Sequence, residues 1–181
     1  MNELFSLIPN SIVQQLTIKE VLLCNQFTEQ YGLSLREEDA TALVKTRKDA
    51  LEEFGRLEFS GGTINKLIME FCDSPYLSQF HYTETLSELL EIFYYFKNET
   101  LDELSDDDLI AIMKKSFNES CQGSTELMQS RDLENLSRKI RFGITNLENL
   151  SEDIEGIFEN DIGESPDGAR RNDFDDEKEM E

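Results

Sequence analysis

The sequence predicts an all-α fold: one compact helical bundle of about five to seven helices over residues 1–159, with a disordered acidic tail over 160–181. Three observations predict it. Apolar residues recur at helical spacing along most of the first 159 positions, and glycines, serines and prolines punctuate them at helix-like lengths. Strict polar–apolar alternation occurs once, at Arg56-Leu57-Glu58-Phe59-Ser60, which suits a single short extended segment near Leu57 to Phe59. Pairing of that segment with a second short strand, an α+β arrangement, is the alternative.

Asn10, after Pro9, opens a short turn or helix from Ser11 to Gln15. From Thr17, the spacing of Ile18, Val21, Leu22 and Phe27 carries a helix to Tyr31, with Gly32 as the residue just past its end. Ser34-Leu35-Arg36-Glu37 has the form of a capping box, in which the serine oxygen takes an amide and the glutamate reaches back. Behind it Leu35, Ala42, Leu43, Ala50, Leu51 and Phe54 make one apolar face, closed by Gly55. Gly61-Gly62 turns the chain after the extended segment. Thr63 then caps a helix from Ile64 to about Cys72, which Ser74-Pro75 interrupts because the residue before proline leaves the helical region.

A long helix follows from about Tyr82 to Lys97. Glu84, Glu88, Glu91 and Tyr95 fall on one narrow face; Leu86, Leu89, Leu90, Ile92, Phe93 and Phe96 fill a wide arc opposite. So broad an apolar arc predicts a central helix covered on several sides. Ser105, followed by Asp106, Asp107 and Asp108, reads as an N-cap with carboxylates where the helix dipole favours them. Leu109, Ile112, Met113 and Phe117 line that helix. Leu133, Leu136 and Ile140 mark another, with Arg138, Lys139 and Arg141 in its last turn before Gly143. A second capping box at Thr145 to Glu148 starts a helix over 146–159, whose apolar face is Leu147, Leu150, Ile154 and Phe158.

Charge divides the chain. Residues 160–181 carry nine acids against three bases, net −6, which leaves −16 of the total −22 for residues 1–159. High charge with low hydrophobicity cannot offset the entropy of ordering, so the tail is expected to be disordered. The same charge opposes direct binding to nucleic acid and to anionic lipid, and it favours a partner with a basic surface. Three scattered cysteines argue against a disulfide framework, and no apolar run approaches the length of a membrane span. With no positively charged leader at Met1-Asn2-Glu3, a cytoplasmic location is expected.

Catalytic constellations are scarce. His81 is the one histidine, so a Cys–His nucleophile would have to pair it with Cys24, Cys72 or Cys121, and Cys72 is near enough in sequence to be considered. One histidine also leaves too few ligands for a Cys/His zinc site. Asp106 to Asp108 lack the glycine and terminal glutamate of a calcium loop. No cofactor fingerprint is present, and no catalytic, metal or cofactor residue is assigned. Two sites remain. Arg56, Gly61, Gly62 and Thr63, ahead of a helix, are candidate contacts for a small anion or metabolite. Tyr95, with Leu147, Leu150, Ile154 and Phe158 of a detachable amphipathic helix, are candidate contacts for a partner. The favoured function is a non-catalytic interaction or regulatory module that meets a basic surface; the alternative is a ligand-binding protein or carboxylate enzyme with its site near Arg56 to Thr63.

Several segments carry a resemblance: Gly55-Arg56-Leu57-Glu58-Phe59-Ser60-Gly61-Gly62, Phe71-Cys72-Asp73-Ser74-Pro75-Tyr76, Glu91 to Thr100, and Ser105 to Ile110. Together they resemble an uncharacterised bacterial family, a domain of unknown function, over roughly residues 30 to 142. The resemblance implies one bacterial domain and brings no activity, ligand or catalytic residue with it.

Deleting Asn160 to Glu181 should leave the melting temperature nearly unchanged or raise it, by relieving charge repulsion. A thermal melt of the truncated chain checks this, and a fall of many degrees would show that Phe174 or its neighbours pack on the domain.

Overall fold

Two long helices, α3 (Glu37–Glu53) and α5 (Tyr82–Glu99), pack side by side at the centre of the structure, a computed structural model that describes residues 10–58 and 61–143. Around them stand α1 (Asn10–Leu23), the single turn α2 (Asn25–Thr28), α4 (Gly62–Phe71) and α6 (Asp106–Lys115). The last described rod is compound: α7 (Thr125–Leu127) runs through a π turn, Met128–Leu133, into α8 (Glu134–Arg141). α6 also ends in a π turn, Ser116–Ser120. α5 touches α3, α4, α6 and α7, as its broad apolar arc requires.

The described residues contain helices and turns but no strand, so the all-α reading holds and the two-stranded alternative does not. Arg56 to Glu58 is non-helical, as expected, but with its sides reversed. Leu57 is 90% exposed while Arg56 and Glu58 turn inward. β-like pairing occurs elsewhere, supplied by side-chain amides. Asn25 gives and takes hydrogen bonds with the Leu35 backbone, both at 2.8 Å. Gln79 does the same for Ser34, at 2.7 and 2.9 Å.

Those bonds explain a correction at the start of α3. The Ser34 amide is already engaged by Gln79, and the N-cap is Arg36, two residues later. Asp39, not Glu37, reaches back to the Arg36 amide at 2.9 Å. Gly32 and Gly55 sit just past helix ends with φ of 74° and 64°, a conformation that a side chain would strain. Ser105 caps α6 as read, its Oγ accepting from the Asp108 amide at 3.1 Å.

The core joins Leu43, Val44 and Ala50 of α3 to Leu67, Ile68 and Phe71 of α4 and to the apolar arc of α5. Leu109, Met113, Phe117, Met128 and Leu133 close its far side. Ala42, expected on the buried face of α3, is exposed; Ala40, Val44 and the cation Arg47 are buried instead. The helix over 146–159 and the boundary at 160 lie outside the described residues.

Phe93 is fully buried and meets the Tyr94 ring edge-on at 5.2 Å between centroids. Phe93→Ala should therefore cost about 3–5 kcal/mol in urea unfolding, through lost transfer energy and a residual cavity. Glu91→Ala, on the exposed strip of the same helix, should stay within about 0.5 kcal/mol; equal costs would refute the facing of α5.

Candidate functional site

The exposed strip of α5 forms one wall of a groove. Asp49, Ala50, Glu53 and Phe54 of α3 and its end face Glu88, Glu91, Ile92 and Tyr95 of α5, and Glu126 of α7 closes the space. The groove holds about 500 Å³, and its lining includes five carboxylates and neither lysine nor arginine. Ala50 and Ile92 make an apolar floor. Tyr95 stands at the rim, 37% exposed. Thr125 Oγ1 donates to Glu88 Oε2 at 2.6 Å and so ties α7 to the wall. Of the expected partner contacts, Tyr95 is thus placed in a surface cleft; Leu147, Leu150, Ile154 and Phe158 lie outside the described residues.

The second expected site, at the start of α4, is filled with the protein's own carboxylates. Glu20 of α1 accepts from the Gly61 amide at 2.6 Å, and Glu58 accepts from Thr63 Oγ1 at 2.8 Å. Gly62 has a φ of 42°. Arg56 is held by Asp102 in a bidentate pair, 2.7 and 2.9 Å, whose first effect is to lower the Asp102 carboxyl below its usual range. Arg56, Gly61 and Thr63 thus each have an internal acidic partner. Sequence reading passed over Arg47, buried at 7% exposure, and Tyr94, which reaches the same place from α5. The signal was present: a cation three and four residues from Val44 and Leu43, and a tyrosine four after Leu90.

No Cys–His pair forms. His81 is exposed and its Nδ1 lies 3.2 Å from Glu84, while Cys72 is buried and its thiol donates to the Met69 carbonyl. Cys121 has a richer setting, because the two π turns face each other across it. Asp132 accepts from Ser116 Oγ at 2.6 Å, from Ser120 Oγ, from Arg131 Nε at 2.7 Å and from the Cys121 thiol at 3.3 Å. Burial pushes the Cys121 thiol up, so it stays protonated and donates to this carboxylate. Such a centre pins two helices together. It offers no activated nucleophile.

The basic stretch is also internally engaged: Arg141 meets Glu99 at 2.9 Å, and Arg138 meets Glu134 at 3.9 Å. Among the described residues no group of three His, Cys, Asp or Glu is placed to hold a metal ion, and no helix is long and apolar enough to cross a membrane.

Fold and surface together define an all-α domain with an acidic groove and a carboxylate-filled helix start. The chain belongs to a family of unknown function, DUF6323, which matches residues 20–146. The match spans the core helices and starts inside α1. No curated protein and no solved structure matches the chain.

Burial raises the Asp132 carboxyl, but hydrogen bonds from Arg131, Ser116, Ser120 and Cys121 outweigh it and leave the group below its ordinary range. Its stabilisation is therefore complete above about pH 4 and is lost as the pH falls through the lower folded value. Asp132→Asn should lower stability at neutral pH and flatten the acid limb of the stability–pH curve, as read by chemical denaturation; an unchanged limb would mean that Asp132 is not the group responsible.

Proposed function

We propose that this protein is a non-catalytic interaction module that receives a basic segment of a partner protein in the groove between α3 and α5. The observation that carries the reading is the groove's lining: five carboxylates over an apolar floor, with no basic side chain among the residues that form it. Arginine and lysine side chains suit such a cleft because their aliphatic stems lie on the floor while the charged heads meet the walls. Tyr95 at the rim offers a ring face to a guanidinium. The net charge of −22 would speed encounter with a basic partner and make the association sensitive to salt. A cytoplasmic setting is part of the reading, in keeping with Cys24, Cys72 and Cys121, all of which are free thiols.

Fluorescence anisotropy with a labelled arginine-rich peptide tests the proposal. Wild-type protein should bind with an affinity that falls steeply as salt rises. The double variant Glu88→Gln/Glu91→Gln, and Tyr95→Ala separately, should weaken binding by about tenfold. Glu37→Gln/Glu38→Gln, at the start of α3 and outside the groove, should change it by less than about twofold. Equal losses at the two pairs would mean that the peptide samples the whole acidic surface, and would sink the groove as the site.

A further inference from the structure

Buried side-chain polar atoms without a hydrogen-bond partner are few among the described residues, and three of the four gather at one place: Tyr94 Oη, Glu58 Oε2 and Arg56 Nε. Tyr94 Oη and Glu58 Oε2 lie by the start of α4, and Arg56 Nε on the segment that leads toward it. Thr63 Oγ1 donates to Glu58 Oε1, yet Glu58 Oε2 receives nothing. Tyr94, 1% exposed, has no hydrogen bond of good geometry, although its hydroxyl lies within reach of Thr63 and Glu58 and near Arg47. Gly62 leaves room for the approach: a Cβ there would stand 2.8 Å from Glu58 Oε2 and 3.7 Å from Arg47 Nη1. Outside this cluster is a cavity of about 310 Å³ between α1 and α3, lined by Thr17, Arg47, Lys48, Arg56 and Glu58 among others. Its lining includes Arg47, Lys48 and Arg56 beside Glu52 and Glu58; Lys48 lies 3.6 Å from Glu52, and Arg56 is paired with Asp102.

We infer that this cluster is a binding site for a small oxyanion, a carboxylate or phosphate group, and that the Glu58 side chain occupies its place in the free protein. The incoming anion takes the Thr63 hydroxyl from Glu58, gains the Tyr94 hydroxyl, and lies against the Arg47 guanidinium. Burial keeps the Tyr94 phenol neutral and therefore a donor. Glu58 is a weak occupant, because one of its two oxygens is unpaired and one hydrogen bond holds the other. Leu57 beside it is exposed and does not anchor the segment by apolar packing. Glu20 keeps the Gly61 amide, so side-chain donors rather than helix amides receive the ligand. The inference is independent of the groove, which shares no lining residue with this cavity.

Acetate and inorganic phosphate, titrated into the full chain at constant ionic strength and followed by calorimetry and thermal shift, provide the test. One of the two should bind saturably, and which one it is distinguishes a carboxylate ligand from a phosphate ligand. Glu58→Ala should tighten that binding by about tenfold, since it removes the internal competitor. Adding Tyr94→Phe should weaken it by about tenfold through loss of the donor, while Tyr94→Phe alone melts at or above wild type because an unpaired buried hydroxyl is gone. Absence of saturable binding to folded Glu58→Ala protein overturns the inference, as does binding indifferent to Tyr94→Phe. Should Glu58→Ala fail to fold, Glu58→Gln keeps the volume and sheds the charge; it must still bind more tightly than wild type, and equal affinity overturns the inference too.

Discussion

A helix that is apolar over most of its circumference has to be surrounded, and α5 sets that demand for the whole domain. Leu86, Leu89, Leu90, Phe93, Tyr94 and Phe96 point in too many directions for one neighbour to cover, so α3, α4, α6 and α7 all lie against it. One narrow strip stays uncovered: Glu84, Glu88, Glu91 and Tyr95. The groove is what remains when α3 and α7 close on α5 from either side of that strip. Core and cleft are thus two results of the same distribution of side chains around one helix.

Short helices packed this way point many of their ends inward, where unpaired amides and carbonyls are costly. The structure answers with charged side chains at depth. Lys97, at the end of α5, donates to the Leu104 carbonyl and lies 2.9 Å from Asp106 at the head of α6. Asp132 gathers the hydroxyls at the end of α6, and Glu20 takes the amide that precedes α4. Other scarce cations are paired nearer the surface: Lys66 with Asp107, Lys114 with Asp73, Arg56 with Asp102. The acids left over face water, which is why the groove walls carry one sign only. Interior architecture shapes surface charge here.

Much of this was legible in the sequence where periodicity was strong. The limits and faces of α5, the Ser105 cap and the glycines after α1–α2 and α3 follow from side-chain spacing and backbone sterics alone. What escaped depends on contacts between segments distant in sequence. Ser34 has the right chemistry for an N-cap, but Gln79, 45 residues away, has taken its amide. Arg56 reads as a free cation until the chain brings Asp102 beside it, 46 residues on. Tyr94 was hidden in a run of four aromatics, where local pattern assigns the faces of Phe93, Tyr95 and Phe96 more readily than that of a tyrosine at the arc's edge.

The paired π turns have a consequence for how this domain tolerates changes of length. A π turn holds one residue more than the α-helical turn it replaces, and losing that residue would rotate everything downstream by about 100°. In the compound rod that rotation would carry Leu136 and Ile140 away from the interior and swing basic residues of α8 toward it. Met128–Leu133 therefore behaves as a register lock. Single-residue insertions and deletions that a surface loop would absorb become, within the Met128–Leu133 turn, changes in which face of α8 meets the core.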